Sequence, residues 1–338
     1  MDNKLINSMA TTNKTLYIIG NGFDLHHGLD TKYQSFGLFL KEKYSLLYDN
    51  LIEYYGLPTL DSDDDDTYYD SQWADFENAL ANLDFEYILD ENTDFLPDIA
   101  SDDFRDRDLH TYQQVMEQIV DDLTEKLYKV FKEFILNVKL PADISDKKLN
   151  VKTDAIFLNF NYTNTLEKYY EIKGSQILYI HNRANSDELL ILGHGTDPNE
   201  FKPKAPIPPE GLSKEELYEW EQRIGEDYDY SYDSGKDELL TYFERSHKST
   251  KEIINSNSNF FSKLSAIENI FVIGHSLSNV DQPYFVKIVD SINNQSAKWT
   301  VSYYSPKDIE DRKQKLIELG LNEKQFDLVS MQTLLTNP

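Results

Sequence analysis

Apolar positions along the chain fall into two kinds of run. Leu16, Tyr17, Ile18 and Ile19 form a short β-branched and aromatic block that stops at Gly20, Asn21 and Gly22, as a buried strand does. Similar blocks recur at 155–158, 177–180, 189–192, 270–273 and 299–303. Blocks without polar alternation suit a sheet covered on both faces, and the helical stretches between several of them predict a mainly parallel, Rossmann-like α/β sheet. The second kind of run keeps three- and four-residue spacing. It covers 25–48 through Leu29, Tyr33, Phe36, Leu40 and Leu47, with a break expected near Gly37. It returns through Trp73, Phe76, Leu80, Leu83 and Tyr87, and again over 113–136.

This pattern predicts a single α/β domain over 15–338, with a helical, acidic insertion at about 50–150. Five of the eleven prolines fall between Thr196 and Gly235. That density predicts a flexible flap or lid over 197–235, with one short helix near 215–223.

Charge narrows the function classes. Lys and Arg number 33 against 60 Asp and Glu, a net charge of −27. A field of that sign repels phosphate backbones and anionic lipid heads, so direct nucleic-acid and membrane partners are not expected. Residues 58–108 hold 18 of the acidic groups against two Arg, with 63–66 the extreme. A solvated loop of self-repelling charges is the plain account of that stretch. A regulatory role near a site mouth is the alternative. Cysteine is absent, which removes disulfides, thiolate metal sites and cysteine nucleophiles. Residues 1–14 are polar without a signal-peptide core, and no run reaches the roughly 18 apolar residues of a membrane span. A cytoplasmic protein is expected.

Candidate chemistry gathers where the apolar blocks end. Gly20, Asn21, Gly22, Phe23 and Asp24 follow the first block, and Asn159 to Asn164 the second. His181, Asn182 and Arg183 follow the third, Gly193, His194 and Gly195 the next, and Gly274, His275 and Ser276 the later one. Ligands of open α/β sheets bind outside the carboxyl ends of the strands. Five of the seven histidines (26, 27, 181, 194 and 275) lie in or just after such turns, which points to an enzyme or a nucleotide binder. The glycine turn suits an anion at a helix start. Leu25 stands where the dehydrogenase fingerprint wants a third glycine, and the P-loop lysine is missing. Gly274 to Ser278 is similar to a nucleophile elbow, but no histidine follows His275 to complete the order Ser, Asp/Glu, His. A metal site from Asp24, His26, His181 and His194 lacks helical ligand spacing, so no metal is expected. Asp281 is read as an N-cap before Gln282 and Pro283, and Tyr33, Trp73, Phe76 and Glu77 as core and helix-surface residues.

The motif from Tyr17 to Leu25, with Gly28, Leu29, Thr31 and Tyr33, resembles the bacteriophage abortive-infection family AbiH. So do residues 73–77, Asn159 to Thr163, His181, Gly193 to Gly195 and 274–281. That resemblance implies a role in phage defence. The chain is also distantly similar to sirtuin-like NAD-binding domains, through Gly20 to Gly22 with Asp24 and Gly28 to Asp30, Asn159 to Thr163, His181 with Asn182, and Gly274 to Leu277. Thr163 stands where those domains carry Asp, and Asn182 where they carry Gly.

This second resemblance implies NAD as substrate and Asn161 and His181 as catalytic residues, with His194 open as the alternative base. It implies cofactor contacts from Gly20, Asn21, Gly22, Phe23, Asp24, Thr163, His194, Gly274, His275 and Ser276. Hydrolysis of the nicotinamide bond follows as the expected activity, since a protein-deacylating sirtuin would need a four-cysteine zinc ribbon. The competing reading is a nucleotide-sensing or partner-binding module, with a phage-derived trigger or a second copy of the chain as partner.

Overall fold

The computed structural model describes residues 14–60, 72–204, 206–226, 228–292 and 296–335. The acidic stretch at 63–66 lies outside the described residues. The chain divides into two compact units. One comprises Met1–Lys32, Lys132–Ile191 and Ser249–Pro338, and the other Tyr33–Phe131 and Leu192–Lys248.

The first unit is built on six strands: β1 (Thr15–Ile19), β2 (Ile156–Asn159), β3 (Ile177–Tyr179), β4 (Asn269–Ile273), β5 (Lys298–Tyr303) and β6 (Phe326–Ser330). Their order is β3-β2-β1-β4-β5-β6, and every pairing is parallel. The alternation of side chains along each strand feeds two cores. Leu16 and Ile18 of β1 join Leu158, Val272, Trp299 and Val301 on one face, against Tyr284, Phe285 and Ile288 of the helix Gln282–Ser291 and Leu316 of the helix Asp308–Glu318. Tyr17 and Ile19 point the other way, into a cluster with Phe23, Phe157, Leu166, Tyr170 and Ile273. Tyr17 stacks between Phe157 and Phe271 of the flanking strands, at 5.2 and 5.0 Å between ring centroids. Burial on both faces is why the strands read as unbroken apolar blocks.

One expected strand is corrected and one strand was missed. Residues 189–192 form no strand; Leu189 is 75% exposed, and the Ile191 N–H donates to the His181 carbonyl at 3.1 Å as the limb of a returning loop. β6 was not foreseen, because its five residues FDLVS bury only Phe326 fully.

The second unit is helical. The run expected over 25–48 is divided among Asn21–His26 in the sheet unit and Tyr33–Lys43 and Ser45–Tyr55 here. The break falls at Tyr44 instead of Gly37. Gly37 lies inside a helix, where a Cβ would come within 2.5 Å of Leu60 and 2.8 Å of the Trp73 ring. Thr111–Asp121 continues through a π-helical turn, Asp122–Lys126, into Leu127–Asn137, whose residues from Lys132 on belong to the first unit. The stretch read as a flap holds Lys214–Glu226 and the start of Tyr230–Arg245. Gly235 of the latter lies against the Tyr112 ring, 2.3 Å from where its Cβ would be. The fully buried Lys248 ammonium pairs with Glu77, which also accepts the Tyr33 hydroxyl at 2.6 Å. Trp73 stacks on Phe76 at 5.7 Å. Among the described residues no helix is long and apolar enough to cross a membrane.

Candidate functional site

In a parallel sheet of this order the connections diverge on either side of the first and fourth strands, and the crevice outside their carboxyl ends is where such folds take ligands. Here the turns after β1 and β4 close on each other. The Gly20 N–H donates to the Ile273 carbonyl at 3.0 Å, and the Gly22 N–H to the Gly274 carbonyl at 2.7 Å. A Cβ on Gly20 would stand 2.6 Å from the His275 Cα, and one on Gly274 would stand 2.1 Å from the Phe23 nitrogen. Gly274 also has φ +68, a conformation that only glycine adopts freely. The contact between two backbones therefore accounts for the glycines. The Phe23 N–H is engaged as well, by the Gly20 carbonyl at 2.9 Å.

The turn continues into the short helix Asn21–His26, held by Asn21, whose Oδ1 accepts the Thr31 hydroxyl at 2.5 Å and whose Nδ2 donates to the Thr31 carbonyl at 3.1 Å. Asp24 is buried. Its Oδ2 accepts from the Thr163 hydroxyl at 2.6 Å and its Oδ1 from the Thr165 hydroxyl at 2.7 Å, which ties the turn after β1 to the turn after β2. Burial pushes the Asp24 carboxyl up to about 6, against the lowering by Thr163, Thr165 and Asn161. Asn161 is itself buried, and its N–H donates to the Asn159 Oδ1 at 3.0 Å. Among the described residues its Nδ2 meets no acceptor in hydrogen-bonding geometry, and Asn161 favours the charged form of the nearby Asp24.

A second cluster surrounds Phe160. The ring of His275 lies 4.4 Å from it, that of His181 5.3 Å and that of Tyr284 5.5 Å, all edge to face. Asp281 was read as an N-cap, and it occupies that position before Gln282–Ser291, but its side chain makes no cap bond. The carboxylate faces the two imidazoles instead. Oδ1 is 3.6 Å from His181 Nε2, and Oδ2 is 3.4 Å from His275 Nε2. Ser278 Oγ donates to Oδ2 at 3.2 Å, and the Leu277 N–H donates to His275 Nδ1 at 2.9 Å. Asp281, Thr165 and Tyr284 are the site residues that sequence reasoning did not assign. The signal for Asp281 was its place in the motif running from Gly274.

Two further expected residues, Ser276 and His194, make other contacts. Ser276 is exposed, and its carbonyl accepts from the Arg312 guanidinium and, at 3.5 Å, from Lys315. The strained residue of that turn is Leu277, at φ +54, whereas a nucleophile elbow strains the nucleophile itself. His194 belongs to the helical unit. Its backbone is strapped between the Ser246 carbonyl at 3.0 Å and the Lys248 N–H at 2.8 Å, and Gly193 is needed because a Cβ would sit 2.1 Å from the Ser246 oxygen. Burial among Phe201, Phe243 and His247 pulls the His194 imidazole down to about 4.

Two further histidines are structural. His26 Nε2 meets the Lys147 carbonyl at 2.8 Å. The Tyr170 hydroxyl accepts the Leu149 N–H at 2.8 Å and so donates its proton to His27 Nε2, also at 2.8 Å. That leaves His27 Nδ1 to donate to the Phe23 carbonyl at 2.6 Å, in a neutral ring that burial pulls down to about 4. Among the described residues no group of three His, Cys, Asp or Glu side chains is arranged to hold a metal ion.

Residues 16–303 match the family described as bacteriophage abortive infection AbiH. That span is most of the chain, and the chain belongs to this family. Membership implies a role in abortive infection, a defence against bacteriophage. No curated protein matches the sequence.

Proposed function

We propose that this member of a phage-defence family is a cytoplasmic effector that binds NAD, or a related nucleotide, and hydrolyses its nicotinamide N-glycosidic bond, depleting the infected cell. The observation that carries the reading is the placement of two buried polar side chains, Asn161 and His181, just beyond the carboxyl ends of adjacent strands. They lie in a sheet of the order in which open α/β folds take dinucleotides.

The chemistry asks little of the protein. Asn161 orients a ribose hydroxyl or the attacking water. His181 accepts the proton of that water as its oxygen bonds to the ribose C1′, and the C1′–N bond breaks through an oxocarbenium-like state. The bond's electron pair returns to the pyridinium nitrogen. The products are neutral nicotinamide, ADP-ribose and a proton.

The glycine turn fits the pyrophosphate only in part, because the Gly22 and Phe23 amides are already bonded within the turn and Asp24 adds a carboxyl group beside it. Arg312 and Lys315 both reach the Ser276 carbonyl near the end of β4, although Asp311 pairs with each, at 3.7 and 3.1 Å, and offsets part of their charge. The same closed turn favours a second reading, a nucleotide-sensing or partner-binding module without turnover. Incubating the purified protein with NAD and following nicotinamide and ADP-ribose by chromatography separates the two. An effector releases both products, and the Asn161→Ala and His181→Ala variants release neither. A wild-type protein that releases nothing, even with phage lysate as trigger, supports the sensor.

A further inference from the structure

We propose that Asp281 is the positioning residue of this site: it fixes the proton of His181 on Nε2 and thereby makes Nδ1 the basic atom. The inference rests on the hydrolytic reading for its kinetic consequence, but its structural content stands alone.

It begins with His275. The Leu277 N–H donates to His275 Nδ1, so in the neutral ring the proton resides on Nε2, the atom that faces Asp281 Oδ2 at 3.4 Å. His275 is thereby committed at both nitrogens. The other carboxylate oxygen faces His181 Nε2 at 3.6 Å, and a carboxylate opposite a ring nitrogen favours the tautomer that carries the proton there. His181 Nδ1 then holds the lone pair. When Nδ1 takes the proton of water, the imidazolium that forms already has its Nε2–H directed at a negative charge. Asp281 closes the 3-10 turn Asn279–Asp281 with helical backbone angles, a conformation that does not aim its side chain at the N–H groups of the following helix, and the carboxylate faces the two rings. Buried Phe160 supports both rings by edge-to-face contact.

The test compares wild type, Asp281→Asn and Asp281→Glu. Long-range proton–nitrogen correlation spectra of the imidazoles report the tautomers, with His181→Gln and His275→Gln spectra assigning the signals. The wild type is expected to show Nε2–H at both rings. Asp281→Asn is expected to lose that preference at His181 and to lower kcat for nicotinamide release on the order of 10²- to 10⁴-fold with KM within about threefold. Asp281→Glu, which keeps the charge, is expected to restore part of both. A His181 tautomer unchanged in Asp281→Asn, or an unchanged kcat, overturns the proposal. Should the wild type release no nicotinamide at all, the hydrolytic reading fails, and the His181 tautomer alone decides the role of Asp281.

Discussion

Two buried carboxylates lie at the carboxyl edge of the same sheet, and their surroundings are opposite in kind. Asp24 has both oxygens met at 2.6–2.7 Å by threonine hydroxyls whose other approach is to each other, at 2.9 Å. Asp281 has two imidazoles at 3.4 and 3.6 Å and one serine hydroxyl at 3.2 Å. Short, complete hydrogen bonding makes Asp24 a tie between two turns. Longer approaches to titratable rings suit Asp281 to a group whose partners change protonation. Carboxylates that look alike in sequence thus divide into a fastener and a tuner by what surrounds them.

The contrast can be broken at its shared support. Gly274→Ala places a Cβ 2.1 Å from the Phe23 nitrogen at φ +68, and backbone on both sides cannot yield. It is expected to cost at least about 3 kcal/mol, read as a fall in the urea midpoint, and an unshifted midpoint would refute the closed-turn account.

Asp24→Asn sharpens the comparison through pH. Burial raises the folded-state value from 3.8 to about 6. The stability this group confers is complete below about pH 4 and is lost as pH rises through about 6. A shift of that size corresponds to roughly 3 kcal/mol between the two limits. Between pH 4 and 7 the Asp24 contribution is expected to decline by up to that amount, read as the difference in unfolding free energy between wild type and Asp24→Asn at each pH, because the buried neutral His27 and His194 give both proteins the opposite slope.

Thr165→Val takes one donor from the charged Asp24 and is expected to cost about 1.5–3 kcal/mol at pH 7. The cost falls towards pH 4, where the carboxyl is neutral, and equal costs at both pH values would mean that Thr165 acts by packing alone. Ser278→Ala, on the Asp281 side, is expected to change stability by less than about 1 kcal/mol, and a cost as large as that of Thr165→Val would erase the distinction between the two carboxylates.

Much of the sheet was legible because β1, β2 and β4 feed both cores and therefore carry unbroken apolar side chains, while β5 shows itself through Trp299 and Val301 on one face. The same rule misled at 189–192, where Leu190 and Leu192 are buried but the backbone forms part of a loop. Apolar content does not distinguish a strand from a loop pressed on a core. That error placed His194 at a strand end, although it is strapped to residues 246–248 of the helical unit. Gly37 was legible as special, but what needs it is the approach of Trp73 inside a helix, which local sequence does not encode. The clustering of Asn161, His181 and His275 at strand ends was visible from position alone. The aim of Asp281 was not, since a carboxylate at a helix start has the same local sequence whether it caps the helix or faces a histidine.

The fastener has a further property. Thr163 and Thr165 lie 2.9 Å apart, and each hydroxyl hydrogen is already directed at Asp24, so with the carboxylate charged this pair of oxygens has no hydrogen between them. Adding one proton to Asp24 supplies it. The carboxyl then donates to one threonine, that threonine to the other, and the second back to the remaining carboxyl oxygen, closing a ring of hydrogen bonds in one direction. Burying this carboxyl therefore costs the fold less in mild acid, the reverse of what acid does to carboxylates paired with cations.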